Sequence, residues 1–288
     1  MLRAMRLRTA LLLTLLLGLG ACCALLAQKE FKEYPGQWTG WPLPEDYKVQ
    51  HEWIFGRLRY SDFRGGGFGG GGGFGRGGGG RRGGGGGRGQ SWSVDYPRGD
   101  RHLVEGLRRL TRIDIRSVEQ VIDLDNTDDV YNWPFLYGVE VGHWSLNDEE
   151  AVQLRDFLNR GGFLMVDDFH GTYEWEVFEA SMKKVFPDKP IVDLDSRDQI
   201  FHTIYDLNDR VQVPGNQYLR SGRTYEQDGY QALWRGIYDD KGRIVVAICA
   251  NMDLGDAVER ADEPAYPAEF SSLAFRIVSN YVVYNLTH

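Results

Sequence analysis

Leu103, Leu107 and Leu110 recur at helical spacing within DYPRGDRHLVEGLRRLTRI, with Val104 alongside, and this pattern predicts an amphipathic helix. Upstream, EWIFGRLRY (52–60) has the aromatic and branched character of a strand, and IRSVEQVIDLD (115–125) and PFLYGVEVG (134–142) are two more. The clearest helix follows. Asn147 and Glu150 make a capping-box pair, Asp148 and Glu149 fill the first turn, and Ala151, Leu154, Phe157 and Leu158 form the apolar face. Arg160 ends its last turn and Gly161 supplies the stop. GFLMVDDF then runs apolar until two aspartates, as expected of a strand buried on both faces of a parallel sheet.

Beyond it, EWEVFEASMKKVF predicts a helix that ends before Pro187, and PIVDL a short strand. LWRGIYDDKGRIVVAICAN predicts a hairpin turning at Asp240-Lys241-Gly242, and EFSSLAFRIVSNYVVYNLTH an amphipathic C-terminal helix. Strands alternating with helices give an α/β three-layer sandwich with a mainly parallel sheet, completed by the hairpin and the last helix. The chain has 288 residues, 42% of them hydrophobic, enough for a sizeable core. We expect one α/β domain over residues 51–288, preceded by an extension at 28–50.

Two segments break the pattern. Arg3, Arg6 and Arg8 precede an uncharged stretch from Thr9 to Gln28, the layout of a signal peptide spanning 1–27. Leu19-Gly20-Ala21-Cys22 also resembles a lipobox that would leave a lipidated Cys22, and the run is long enough for an uncleaved anchor. Each alternative places the body outside the cytoplasm, periplasmic or secreted, touching membrane only through the leader or Cys22. Residues 65–89 form the second segment, glycine interrupted by Phe68, Phe74, Arg76, Arg81, Arg82 and Arg88. Such a tract buries too little apolar surface to order itself, so it is expected to be a disordered insertion, serving as spacer, adhesive arm or lid.

Arginine in glycine resembles RNA-binding boxes, but the charge argues otherwise. The formal net charge is −8, and it becomes more negative once the three leader arginines and the four of the tract are set aside. A body this acidic repels phosphate backbones, so nucleic acid is not an expected partner. Cys22 and Cys23 lie in the leader, leaving Cys249 as a small buried hydrophobe and no disulfide framework.

In open α/β sheets ligands bind outside the carboxyl ends of the strands. That rule selects Arg59 and Tyr60, then Glu140, His143 and Trp144, then Asp167, Asp168 and His170, and finally Asn251, Asp253 and Asp256. The bland alternative is that the aspartates only finish strands, Asp168 pairing with an arginine or capping the following helix, while Asp253 and Asp256 hold a long loop through Asx-type turns. His143 could cap the next helix, His170 orient the turn at Gly171, and His202 be structural. A polymer-binding cleft would use Trp144 and Trp175 as stacking faces and the acids as hydroxyl acceptors. A hydrolytic or metal site would use the paired carboxylates and histidine.

From residue 29 onward, apart from the glycine tract, the chain resembles a bacterial family, the domain of unknown function numbered 4159. The resemblance rests on DYPRGDRHLVEGLRRLTRI, GHWSLNDEEAVQLRDFLNRGGFLMVDDFHG, WEVFEASMKKVFPDKPIV, IFHTIYDL, LWRGIYDD and NMDLGDAVERAD. It implies a fold similar to the class I glutamine amidotransferase-like (flavodoxin-like) superfamily, and no established activity. Enzymes of that type use a Cys on a tight strand-to-helix turn. Cys249 lies between Ile248 and Ala250, without the small residues such a turn needs, and the turn is read as missing.

These observations lead to an expected non-catalytic ligand-binding or scaffolding module of the cell envelope, with envelope polysaccharide or a membrane protein as partner and no cofactor or metal. The rival is a hydrolase acting on an envelope glycan or amide through Asp167, Asp168 and His170.

Overall fold

The computed structural model describes residues 29–38, 40–62, 90–125 and 127–288. The expected leader with Cys22 and the glycine tract at 65–89 lie outside the described residues. Seven strands, β1 (Gly56–Arg59), β2 (Gln120–Asp123), β3 (Phe135–Val139), β4 (Phe163–Asp167), β5 (Val192–Asp193), β6 (Leu233–Tyr238) and β7 (Ile244–Ala250), form one sheet in the order β2-β1-β3-β4-β7-β6-β5. The first five in that order are parallel, and β6 runs antiparallel to both neighbours. The sheet is therefore mixed. Its reversal comes from the expected tight turn, where Gly242 takes a φ of 79° and the Asp239 N–H donates to the Arg243 carbonyl.

Side chains alternate across the strands, and the two sets enter different cores. Phe135, Tyr137, Val139, Phe163, Met165, Ala247 and Cys249 pack with Leu103, Val104 and Leu107 of helix α1 (Arg98–Leu110). Leu136, Leu164, Val166, Val246 and Ile248 face the other way, against helices α2 (Asp148–Asn159) and α3 (Gly171–Val185). After the short helix α4 (Gln217–Ser221), helices α5 (Leu254–Glu259) and α6 (Ala268–Thr287) join α1 on the first face. Each Leu or Phe so buried contributes about 1.5–3 kcal/mol of transfer free energy. Among the described residues no helix is long and apolar enough to cross a membrane.

Local signals set the α2 and α3 boundaries. The Asn147 side chain accepts from Glu150 N at 2.9 Å while the Glu150 carboxylate accepts from Asn147 N at 2.8 Å, so both ends of the capping box are closed. Helix α3 starts three residues before the EWEVF run, because Gly171, at φ 75°, turns the chain directly out of the β4 loop.

A buried arginine sits inside the sheet. Arg57 of β1 is 1% exposed, lies 4.8 Å over the Tyr137 ring and forms a two-point ion pair with Asp100 of α1, Nε to Oδ2 at 3.0 Å. A buried pair gains little over an apolar one, but losing a single partner strands the other charge. Asp100→Asn should therefore lower unfolding free energy by about 3–5 kcal/mol, and Asp100→Leu combined with Arg57→Met should recover most of it, as read by urea denaturation. Additive losses in the double variant would show that the pair is not the reason.

Candidate functional site

The carboxyl end of β3 makes a strained turn. Glu140 stands at φ 53°, ψ 35°, in the left-handed region, and a short 3-10 turn over Val141–His143 follows at once. The stretch Gly138-Val139-Glu140-Val141-Gly142 has the glycine spacing of a nucleophile turn. Gly142 is required, since a Cβ there would lie 2.3 Å from the Glu174 Cβ, and Gly138 is tight, a Cβ lying 3.0 Å from a Val141 methyl. A left-handed turn with this glycine spacing thus ends β3, with a carboxylate at its apex, while Cys249 has no such turn around it. Cys249 itself is fully buried within β7, and burial pushes its thiol well above the usual range.

Glu140 does not stand alone. His143 Nε2 is 3.2 Å from its carboxylate and 3.4 Å from that of Glu174, in the first turn of α3. Glu174 also accepts from the His170 N–H at 2.5 Å and from the Gln227 amide. Hydrogen bonds to Glu140 and then Glu174 push the His143 pKa up to about 10, so it is an imidazolium at neutral pH. It ties β3 to α3 and leaves the capping of α2 to Asn147.

The two aspartates ending β4 have separate tasks. Asp167 Oδ2 accepts from Tyr137 Oη at 3.1 Å, Leu254 N at 2.7 Å and Gly255 N at 3.1 Å, so it caps α5, a helix distant in sequence. Burial pushes its carboxyl up to about 7 against the pull of those donors. Asp168, at φ 54°, pairs with the ring of His170, 3.1 Å away, where an arginine or a helix cap was expected. Burial lowers the His170 pKa and favours the neutral ring, which shares a hydrogen bond with Asp168 through Nε2.

At the end of β7, Asn251 takes φ 61° and its amide accepts from Gly171 N at 2.9 Å and donates to the Gln231 carbonyl at 2.8 Å. Asp253 accepts from Asp256 N at 2.7 Å and so starts α5, a six-residue helix in place of the expected long loop. Asp256 is held by Arg260 Nε at 3.0 Å and Asn216 N at 2.5 Å.

Beneath these ends lies a residue that sequence patterning did not select. Asp95, just before α1, has φ 60° and is 2% exposed. One of its oxygens lies within 4.8 Å of oxygens from Asp168 and Asp253, and a second grouping joins it to Asp256 and Glu259. Two ionised carboxylates at that separation repel by about 3–4 kcal/mol at an effective dielectric of 20. Burial first, and then repulsion from surrounding carboxylates (Asp256 and Glu259 on Asp95, Glu140 and Asp95 on Asp168, Asp168 and Asp256 on Asp253), pushes all three well above the usual carboxylate range.

Four other selected residues are occupied. Arg59 pairs with Asp123 on β2 and stacks on Tyr34, 4.5 Å from its ring. Tyr60 is buried and donates to the Val139 and Glu140 carbonyls at 2.6 and 2.8 Å. Trp144 is fully buried, stacked on Phe178, and partly buried Trp175 stacks with Phe169 and has Arg235 4.4 Å from its ring. Against expectation, Trp144 offers no open stacking face, and these contacts occupy that of Trp175. The exposed rings nearby are Tyr173, 60% exposed and next to Glu174, and Tyr230, 64% exposed. The loop of Tyr230 reaches the rim through Asp228, which accepts from Thr172 N at 2.9 Å. His202 bonds Asp206 and the Ser196 carbonyl within its own loop, a structural role.

Compared with known proteins, residues 83–286 match the family model described as a domain of unknown function (DUF4159). No curated protein matches the chain.

The His143 triad carries a pH signature. The folded pKa of about 10 exceeds the ordinary 6.5, so its contribution to stability is fully present below pH 6.5 and is lost as pH rises through about 10. The melting-temperature gap between wild type and His143→Gln should therefore be widest near pH 6 and close towards pH 10. A gap that stays constant across this range would remove the imidazolium from the account.

Proposed function

The chain belongs to the DUF4159 family, whose description carries no activity, and from the site itself we propose a non-catalytic binding module for a polyhydroxylated polymer of the cell envelope. The observation that carries this reading is Glu140. The strained apex after β3, where the thiol or hydroxyl of a Cys- or Ser-type acyl-transfer enzyme would stand, holds instead a carboxylate paired with His143, which itself donates to Glu174. We also take the fold to be a relative of the class I glutamine amidotransferase-like superfamily. The five parallel strands follow the doubly wound flavodoxin-like order, and its switch point lies between β1 and β3, beside Glu140.

The rim's chemistry supports a hydroxyl-bearing ligand. Glu140 accepts, the His143 imidazolium donates, and Tyr173 and Tyr230 present aromatic faces of the kind sugar rings stack upon. The buried acids at Asp167 and Asp168 are too enclosed to reach a substrate bond, which counts against the hydrolase. The acidic surface favours amino-sugar polymers over uronic acid polymers.

Calorimetric titration of the purified chain with neutral, amino-sugar and uronic-acid oligosaccharides tests this. We expect binding strongest for the amino-sugar class, no bond cleavage, and a loss of about tenfold in affinity in Tyr173→Ala combined with Tyr230→Ala. Cleavage of any of these probes, abolished in Asp168→Asn with the fold intact, would transfer the site to the hydrolase.

A further inference from the structure

We propose that Asp95, Asp168 and Asp253 form a buried divalent-cation site of the Ca2+ type beneath the rim. The proposal is independent of what the rim binds. The three residues come from the segment before α1, the end of β4 and the N-terminus of α5, and their oxygens converge within 4.8 Å. They are 2%, 6% and 4% exposed.

Convergence of acids alone would not mark a site. Asp95 supplies the independent observation: its carboxylate is buried and Oδ2 has no hydrogen-bond partner, and this oxygen lies beside Asp253, a Cβ on Gly255 falling 2.5 Å from Asp95 Oδ2 and 3.6 Å from Asp253 Oδ1. A buried acceptor left this way costs free energy that native structures seldom leave unrecovered. Charge partners do not fill the gap. Among the described residues no Lys or Arg nitrogen comes within ion-pair distance of Asp95, Asp168 or Asp253, the only partner being the His170 ring on Asp168. Several neighbouring acids differ in this respect, while Asp167 is held by Tyr137 and two backbone N–H groups. Arg57 is matched to Asp100, Arg98 to Asp262 and Glu263, and Arg260 to Asp256, Glu259 and Glu263.

Donor type selects the ion. All three ligands are carboxylate oxygens, the set preferred by hard cations. Mg2+ gives up its water reluctantly and demands strict octahedral geometry, whereas Ca2+ accepts irregular oxygen cages, as befits an enclosed site. A further oxygen is close by. A Cβ placed on Gly215 would lie 2.2 Å from Asp253 Oδ2 and 2.9 Å from the Gln217 amide oxygen, itself without a hydrogen-bond partner. His170, bonded to Asp168, would orient that ligand in the way a ring donor commonly supports a ligating carboxylate.

The test uses the full chain, stripped with EDTA and titrated with CaCl2 and MgCl2 while heat, melting temperature and competition with a chromophoric chelator are followed. We expect one equivalent of Ca2+ to bind with a Kd below ~1 mM, Ca2+ to be preferred over Mg2+, and the melting temperature to rise. Asp95→Asn and Asp253→Asn should each weaken binding by at least about tenfold, while the exposed Asp195→Asn leaves it unchanged. The chelator titration on wild type decides the matter even where a variant fails to fold. Absence of Ca2+ binding at ~1 mM would overturn the proposal. So would binding that survives in Asp95→Asn and Asp253→Asn but is lost in His143→Gln, because the ion would then sit on the outer triad.

Discussion

The chain has to leave the carboxyl ends of β3, β4 and β7 without passing through the helices packed on either face, and it does so through left-handed residues. Glu140, Asp168 and Asn251 hold φ values of 53°, 54° and 61°, and Asp95 joins them at 60°. None is glycine, so each costs roughly 1–2 kcal/mol relative to ordinary backbone. Such a cost persists only where the surroundings fix the conformation, and here the surroundings are mutual. Asn251 holds Gly171 N, Glu140 N donates to the Asp167 carbonyl, and Asp168 N donates to the Met252 carbonyl. The glycines at 142, 171 and 229 let these turns approach each other; a Cβ at Gly229 would lie 2.4 Å from the Asn251 amide.

Bringing polar strand ends so close concentrates negative charge. The structure divides it into two levels. At the surface, His143 neutralises part of the charge on Glu140 and Glu174 and is itself half-exposed, so solvent screens what remains. Deeper down, arginines neutralise the acids at the edge of the cluster, while Asp95, Asp168 and Asp253 have no such counter-charge. Water cannot substitute at that depth, and the alternatives are protons or a cation. The two levels share α3 and the β4 loop, since Glu174 holds the backbone of His170 while the His170 ring holds Asp168.

The elements were largely legible because burial imposes periodicity. Asn147 and Glu150 announce α2, the apolar runs announce β3, β4 and β7, and DDKG announces the hairpin. What was not legible depends on tertiary placement. Trp144 and Trp175 sit at strand-end and helix-start positions that suit a ligand platform, and only packing against Phe178, Phe169 and Arg235 shows that their faces are taken. Asp95 precedes an arginine-rich helix, where its neighbours suggest a cap or an ion pair, and no local signal reveals that residues 168 and 253 lie opposite. Gly138-Val139-Glu140-Val141-Gly142 was legible in part: its position at a strand end marks Glu140, but the left-handed backbone there and the closeness of Glu174 that requires Gly142 depend on the fold.

The same point bears on how far the architecture constrains chemistry. A strained turn that offers its apex residue to solvent can serve a nucleophile, and it serves a carboxylate equally well, because the backbone fixes position and leaves identity open. With glutamate there, the apex accepts hydrogen bonds and holds a cationic partner, where a cysteine or serine would present a thiol or hydroxyl for acyl transfer. A cation at Asp95, Asp168 and Asp253 would reinforce that outcome. It would fix the β4 loop, and through His170 and Glu174 the position of Glu140, in one geometry, which suits recognition of a ligand more than movement of a proton. The buried acids would then be what holds the rim still, and the exposed residues above them what meets the ligand.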